Sequence, residues 1–166
     1  ITVPYVSKIL GAEGIGDYAF TYANVQYFVV FGMIGVSLYG NRQIAYVRDN
    51  KEKLKNTFYS IYTLQLITTI SSLIAYLIFV LIFNNESYKW LYIVQGINIL
   101  ATIADISWLF MGLEQFKKTV VRNTIVKLAS LASIFIFVKS SDDTVIYTLI
   151  IALSSFIGNL TFWLYI

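Results

Sequence analysis

The sequence has no cysteine, no histidine, a single proline and only 13% charged residues. Without cysteine there are no disulfides and no thiol chemistry, and without either residue the usual zinc sites are excluded. Histidine is the commonest general base, so histidine-based catalysis is excluded for this stretch as well. Gly11, Gly14 and Gly16 lack the strand–turn–helix setting of a phosphate loop and no Walker motif is present, so no cofactor is called for. Charge is scarce but leans basic, at +3 overall. The cations lie between apolar segments rather than on one surface, which argues against a nucleic-acid partner.

What is present is apolar. At 58% hydrophobic, the chain exceeds the roughly 45–50% of globular domains, and 166 residues cannot hide that much apolar surface from water. The solvent must be lipid. Five long apolar runs span about Tyr18–Tyr39, Thr57–Phe83, Tyr88–Gly112, Val120–Val138 and Thr144–Ile166. A helix rising about 1.5 Å per residue needs about 20 residues to cross a hydrocarbon core of about 30 Å. Each run meets or approaches that length, so the expected fold is an all-α polytopic membrane protein. Residues Ile1–Leu10, broken by Pro4, read as the outer end of a further helix whose beginning is missing. Ile1 is not an initiator methionine, no signal-peptide pattern precedes it, and Ile166 stops inside an apolar run. The sequence is therefore expected to be a fragment of a longer, transporter-sized protein, contributing one six-helix bundle.

Nine of the twelve Lys and Arg residues fall into two gaps. Asn41–Asn56 holds Arg42, Arg48, Lys51, Lys53 and Lys55, and Leu113–Lys127 holds Lys117, Lys118, Arg122 and Lys127. Short basic loops stay in the cytoplasm, so the 41–56 and 113–119 loops and the amino terminus are expected inside. Asn84–Ser87 and Lys139–Asp143 become tight external hairpin turns, and Gly11–Asp17 another external turn. Tyr18, Tyr39, Tyr88, Trp90, Tyr92, Trp163 and Tyr165 cluster near predicted interfaces, as an aromatic belt would.

The fourth expected helix, Tyr88–Gly112, is the most informative. Gln95, Asn98, Thr102 and Asp105 are spaced to share one side of a helix. A carboxylate in the bilayer costs at least about 2.5–3.5 kcal/mol and normally faces protein or a water-filled cavity. The stripe therefore points inward, either lining a cavity or forming a structural network. Hydroxyls at Thr57, Ser60, Thr68 and Ser71 in the third expected helix, and Ser130 and Ser133 in the fifth, read first as packing residues bonding back to their own carbonyls. Gly32, Gly35 and Gly40 read as close-packing or hinge positions. Asp105 and Lys127 lie eleven positions either side of Phe116, where the fourth and fifth helices turn. Equal offsets in an antiparallel pair mean equal depth, so the two are expected close enough for an ion pair.

Three stretches carry a resemblance: ITVPYVSKILGAEGIGDYAF (Ile1–Phe20), GVSLYGNRQIAYVRDNKEKL (Gly35–Leu54) and DISWLFMGLEQFKKTVVRN (Asp105–Asn123). With similar loop spacing throughout, the chain resembles the Wzx-like flippases of O-antigen and capsule assembly, within the multidrug/oligosaccharidyl-lipid/polysaccharide exporter superfamily. The resemblance implies the first bundle of a 12- to 14-helix transporter in the bacterial plasma membrane. It implies no covalent catalysis, but movement of an undecaprenyl-diphosphate-linked oligosaccharide between leaflets by alternating access. Implied partners are that lipid-linked oligosaccharide, membrane lipid and other polysaccharide-assembly proteins. By position, Lys8 and Arg42, followed by Arg122 and Lys127, match the basic cavity residues such a diphosphate would need; Gln95, Asn98 and Asp105 are the cavity candidates of the polar stripe. The sequence departs from the family's pattern in having no mid-membrane arginine cluster. Two alternatives stay open: an ion-coupled drug or cation exporter of the same superfamily, which would use intramembrane carboxylates, and a membrane-embedded polysaccharide-assembly enzyme, for which the external turns are too short.

Overall fold

The computed structural model describes residues 2–82 and 86–166, and every regular element among them is helical. In chain order these are α1 (Thr2–Met33), α2 (Val36–Val47), α3 (Lys51–Ile82), α4 (Lys89–Ala104), α5 (Ser107–Gly112), α6 (Phe116–Phe137) and α7 (Thr144–Leu160). Single 3₁₀ turns occupy Glu86–Tyr88, Ser141–Asp143 and Thr161–Tyr165. Five helical stretches among the described residues are long and apolar enough to cross a membrane: Thr2–Val47, Lys51–Ile82, Lys89–Gly112, Thr119–Phe137 and Ser141–Tyr165. Their outer faces carry large apolar side chains, such as Ile67, Ile74, Leu77 and Leu81 on α3, the inverse of what water would select. The chain is a multi-pass α-helical membrane protein.

Several element ends differ from the apolar runs, each for a local reason. The first partial helix and the second meet inside α1, where Gly11 alone leaves helical geometry at φ 70°, ψ −177°. The expected external turn over Gly11–Asp17 is thus replaced by a kink at Gly11. Gly14, inside that expected turn, is helical and packs so tightly that a Cβ there would lie 2.6 Å from the Thr144 hydroxyl. Asn84 and Asn85 of the expected second turn lie outside the described residues. The fifth expected helix starts earlier, at Phe116, and the sixth gives way to a 3₁₀ turn after Leu160.

The second and fourth expected helices are each cut in two. Between α1 and α2, Ile34 and Gly35 take positive φ angles of 21° and 77°. Between α4 and α5, Asp105 is extended at φ −79°, ψ 101°. The short helices that follow, α2 and α5, pack on each other at very close range. A Cβ on Gly40 would lie 2.6 Å from the Trp108 ring, and one on Gly112 would lie 2.6 Å from the Ile44 Cβ.

Helix α4 is the hub, with α1, α3 and α7 packed around it. Val36, Ile44, Phe58, Trp108, Phe110 and Phe162 form the core beneath the basic end. Val25, Tyr76, Tyr92 and Ile99 form another between α1, α3 and α4. Some aromatics read as belt residues are internal instead: Tyr92 is buried and accepts a 2.8 Å bond from Asn24, Tyr18 stacks on Tyr22, and Trp163 donates to the Ala104 carbonyl at 3.0 Å. Trp90 and Tyr39 are exposed.

Candidate functional site

A cavity of about 300 Å³ lies between the two interrupted helices. Met33 and Ser37 border it on either side of the first interruption, and Asp105 marks the second. Tyr22, Gln26, Asn98, Thr102, Ser155 and Asn159 complete its polar wall. Of the stripe read from sequence, Asn98, Thr102 and Asp105 reach this cavity, while Gln95 is fully buried behind it. Asn98 Nδ2 donates to Gln95 Oε1 at 2.7 Å. Gln95 Nε2 is buried with no partner among the described residues.

The α4–α5 interruption is built from side chains. A helix end leaves its last carbonyls without intrahelical donors, and within a membrane each such group must find another partner. Here five consecutive carbonyls find one. Asn159 Nδ2 donates to Ala101 O at 2.8 Å. Gln65 Nε2 donates to Thr102 O at 2.5 Å and to Asp105 O at 2.9 Å. The Tyr62 hydroxyl donates to Ile103 O at 3.3 Å, and Trp163 Nε1 to Ala104 O. Beyond the gap, Asp105 Oδ1 accepts the Ser107 amide at 2.9 Å, an Asx turn that starts α5. Gln65 itself has no exposed surface, and its Oε1 accepts Trp108 Nε1 at 2.9 Å.

The α1–α2 interruption is held more lightly. Thr68 Oγ1 donates to Gly32 O at 2.6 Å, Thr69 Oγ1 reaches the same carbonyl at 3.4 Å, and Ser72 Oγ donates to Phe28 O at 2.5 Å. The hydroxyls of α3 also bond back to their own helix, as at Thr68 and Ser71.

The cation beside Asp105 is Arg122, not Lys127. Arg122 is half-buried: its Nε donates to Gly158 O at 2.6 Å, its Nη2 to Asn159 Oδ1 at 2.6 Å and its Nη1 to Asn123 Oδ1. Its guanidinium lies 4.1 Å from the Phe162 ring centroid, and it is attracted to the Asp105 carboxylate. Asn159 therefore stands between the arginine and the cavity. Lys127, five residues further along α6, points about 140° away around the helix. It is exposed, and no ion pair joins it to Asp105. The expected Asp105–Lys127 pair is corrected accordingly. Lys8 is exposed on α1, and Arg42 is exposed on α2 with its guanidinium 5.7 Å from the Tyr46 ring centroid. The structure thus gathers Asn98, Asp105 and Arg122, with Gln95 behind them, and leaves Lys8, Arg42 and Lys127 apart.

Gln65, Asn159, Gln26 and Ser155 escaped the sequence reading. The available signal was modest: Gln65 and Asn159 are the lone carboxamides of their apolar runs.

Chemically, the site offers amide, hydroxyl and carboxylate groups beside a tyrosine shelf, where Tyr22 stacks on Tyr18 at 5.5 Å and Tyr18 meets Tyr147 edge-on at 4.9 Å. Such a surface suits a polyhydroxylated ligand. No cluster of metal-ligating side chains occurs among the described residues.

A family model described as "Polysaccharide biosynthesis protein" matches residues 1–166. Among curated proteins, the chain is 26% identical over 148 residues to a "Putative O-antigen transporter" of Escherichia coli (strain K12), covering 88% of this chain and 35% of that protein. A protein of the same name from Shigella dysenteriae is 29% identical over 145 residues, covering 87% of this chain and 36% of its own. The chain thus spans about a third of the length of these relatives. No solved structure matches the chain.

Proposed function

We propose that this chain, which belongs to the polysaccharide biosynthesis protein family, is one helical bundle of a flippase for an undecaprenyl-diphosphate-linked oligosaccharide. The observation that carries this reading is the polar cavity set between two interrupted helices. Discontinuous helices bordering a polar site near mid-membrane are the recurring architecture of alternating-access transporters. The saccharide would meet Asn98, Asp105, Asn159 and the tyrosine shelf, while the isoprenoid stays in hydrocarbon. Asn98 and Asn159 would exchange hydrogen bonds with hydroxyls, and the amphipathic tyrosine rings would cover the apolar faces of the sugar rings. No covalent chemistry is required.

The drug or cation exporter fits less well, because Asp105 is the one carboxylate lining the cavity and Arg122, held by Asn159 at the cavity wall, already attracts it. The diphosphate would be met by Arg122 at the inner end, whereas Lys8, Arg42 and Lys127 are exposed and do not line this cavity. In the plasma membrane, the basic 41–56 and 113–119 loops and the amino terminus would be cytoplasmic.

The test is to replace Asn98 and Asn159 together by alanine in the full-length protein and to assay the sidedness of lipid-linked repeat units. Accumulation on the inner leaflet at unchanged protein level is expected; unaltered export would remove the cavity from the pathway. Orientation is tested separately, since the native sequence contributes no cysteine background. A cysteine at Asn50 should react with an impermeant thiol reagent only in opened cells, and one at Ser141 in intact cells.

A further inference from the structure

On the side of the bundle away from the polar cavity, a cleft runs beside α3. Helix α3 packs on α1, α2 and α4, whereas α7 packs on α4 and α6. The two stand apart over the α4–α5 junction, bridged by Trp163, whose ring meets Tyr62 at 5.0 Å and Phe58 at 6.4 Å. The lower half of the cleft, about 440 Å³, has Phe58, Tyr59, Leu109, Phe110 and Tyr165 as walls and Lys51 and Lys55 at its mouth. Beside it, lined by Tyr62 and Trp163, lies a second, wholly uncharged groove of about 450 Å³.

The two lysines are one helical turn apart, so they project side by side. Both are exposed, and neither forms an ion pair among the described residues. Arg48, by contrast, is already taken by Glu114 at 2.6 Å. An open pair of ammonium groups above an apolar channel complements one kind of molecule: an anionic headgroup on a hydrocarbon chain. Basic pockets between membrane helices hold such headgroups. The channel walls also touch the interruption directly, since Tyr62 and Trp163 are the donors to the Ile103 and Ala104 carbonyls.

We propose that this cleft is a binding site for a resident anionic phospholipid, its phosphate on Lys51 and Lys55 and one acyl chain along Phe58, Tyr59 and Trp163. This ligand is distinct from the transported one, and its site does not depend on the reading of the polar cavity. Lipid seated there presses on the two aromatic donors of the α4–α5 interruption, giving membrane composition a purchase on the transporter.

The test uses the full-length protein in nanodiscs containing equal phosphatidylglycerol and phosphatidylcholine. A photo-crosslinking residue replaces Tyr59, which is 57% exposed on the cleft wall, and the captured lipid is identified by mass. With two cations near the phosphate, on the order of tenfold enrichment of phosphatidylglycerol is expected. K51Q/K55Q should bring the ratio to that of the bulk lipid, K51R/K55R should retain the enrichment, and K53Q/K117Q, which removes equal charge outside the cleft, should leave it unchanged. Equal capture of both lipids, enrichment that survives K51Q/K55Q, or enrichment lost equally in K53Q/K117Q would each overturn the proposal. Displacement of the phospholipid by one equivalent of a polyprenyl phosphate would also overturn it, by making the cleft a substrate subsite.

Discussion

The two interruptions that face each other across the cavity are made in opposite ways. Between α1 and α2, the backbone itself turns: Ile34 and Gly35 adopt positive φ, and threonine hydroxyls of α3 tie down the preceding carbonyl. Between α4 and α5 there is no glycine, no proline and no positive φ. The chain is held open there by donors reaching in from α3, α7 and the turn after it. The first interruption is permitted by Gly35, with the β-branched Ile34 strained beside it; the second is imposed by its neighbours. The short helices beyond them, α2 and α5, then lock together through Gly40 and Gly112.

Removing the imposed support should have the largest effect. Gln65→Leu strands the Asp105 carbonyl and the Trp108 indole N–H, each worth about 1–3 kcal/mol when unpaired, while the Thr102 carbonyl keeps the Asp105 amide at 3.2 Å. The purified variant should lose at least about 2 kcal/mol of stability in thermal unfolding; a near-native melting curve would mean that the α4–α5 interruption holds itself open.

Next comes the lock between the two short helices. The Cβ of Gly112→Ala would meet Asn41 O at 2.7 Å, and backbone cannot move aside as a flexible side chain can. A loss of about 1–3 kcal/mol is expected, together with impaired export if α2 and α5 move as one.

The Asp105–Arg122 relation is tested by a double-mutant cycle. Asp105→Asn and Arg122→Gln should each destabilise, and the double variant should be less damaged than the sum, by about 0.5–3 kcal/mol. Strict additivity would separate the two residues. The same cycle with Lys127→Gln in place of Arg122→Gln should be additive.

The permitted interruption should respond more mildly. Gly35→Ala introduces a Cβ with nothing within 4 Å, so only the left-handed backbone penalty of about 1–2 kcal/mol applies. Least of all is expected from Arg48→Gln. Its bond to Glu114 raises the pKa of the guanidinium above its ordinary value. The pair is nevertheless solvent-exposed, and its loss should not measurably shift the melting midpoint at physiological salt.

This contrast also explains what could be read beforehand. Apolar runs and basic gaps located the spanning helices because lipid acts on composition, which is a property of sequence alone. Gly35 was visible as a hinge candidate because its permissiveness is intrinsic. The interruption at Asp105 was not, because its cause lies in Gln65, Tyr62, Asn159 and Trp163, residues distant in sequence. Asp105 and Ser107, spaced for an Asx turn, were its one local trace. The Lys127 pairing failed for the same reason: equal offsets from Phe116 fix depth, whereas the face presented depends on rotation. Arg122 and Lys127 share α6 but not a face.

A hinge assembled from borrowed donors is also an evolvable one. Each of the carbonyls at Ala101–Asp105 is held by a side chain that mutation can remove or weaken singly, without altering the backbone of α4 or α5. Descendants of this chain could therefore stiffen or loosen the same joint by graded steps while the surrounding helices keep their course.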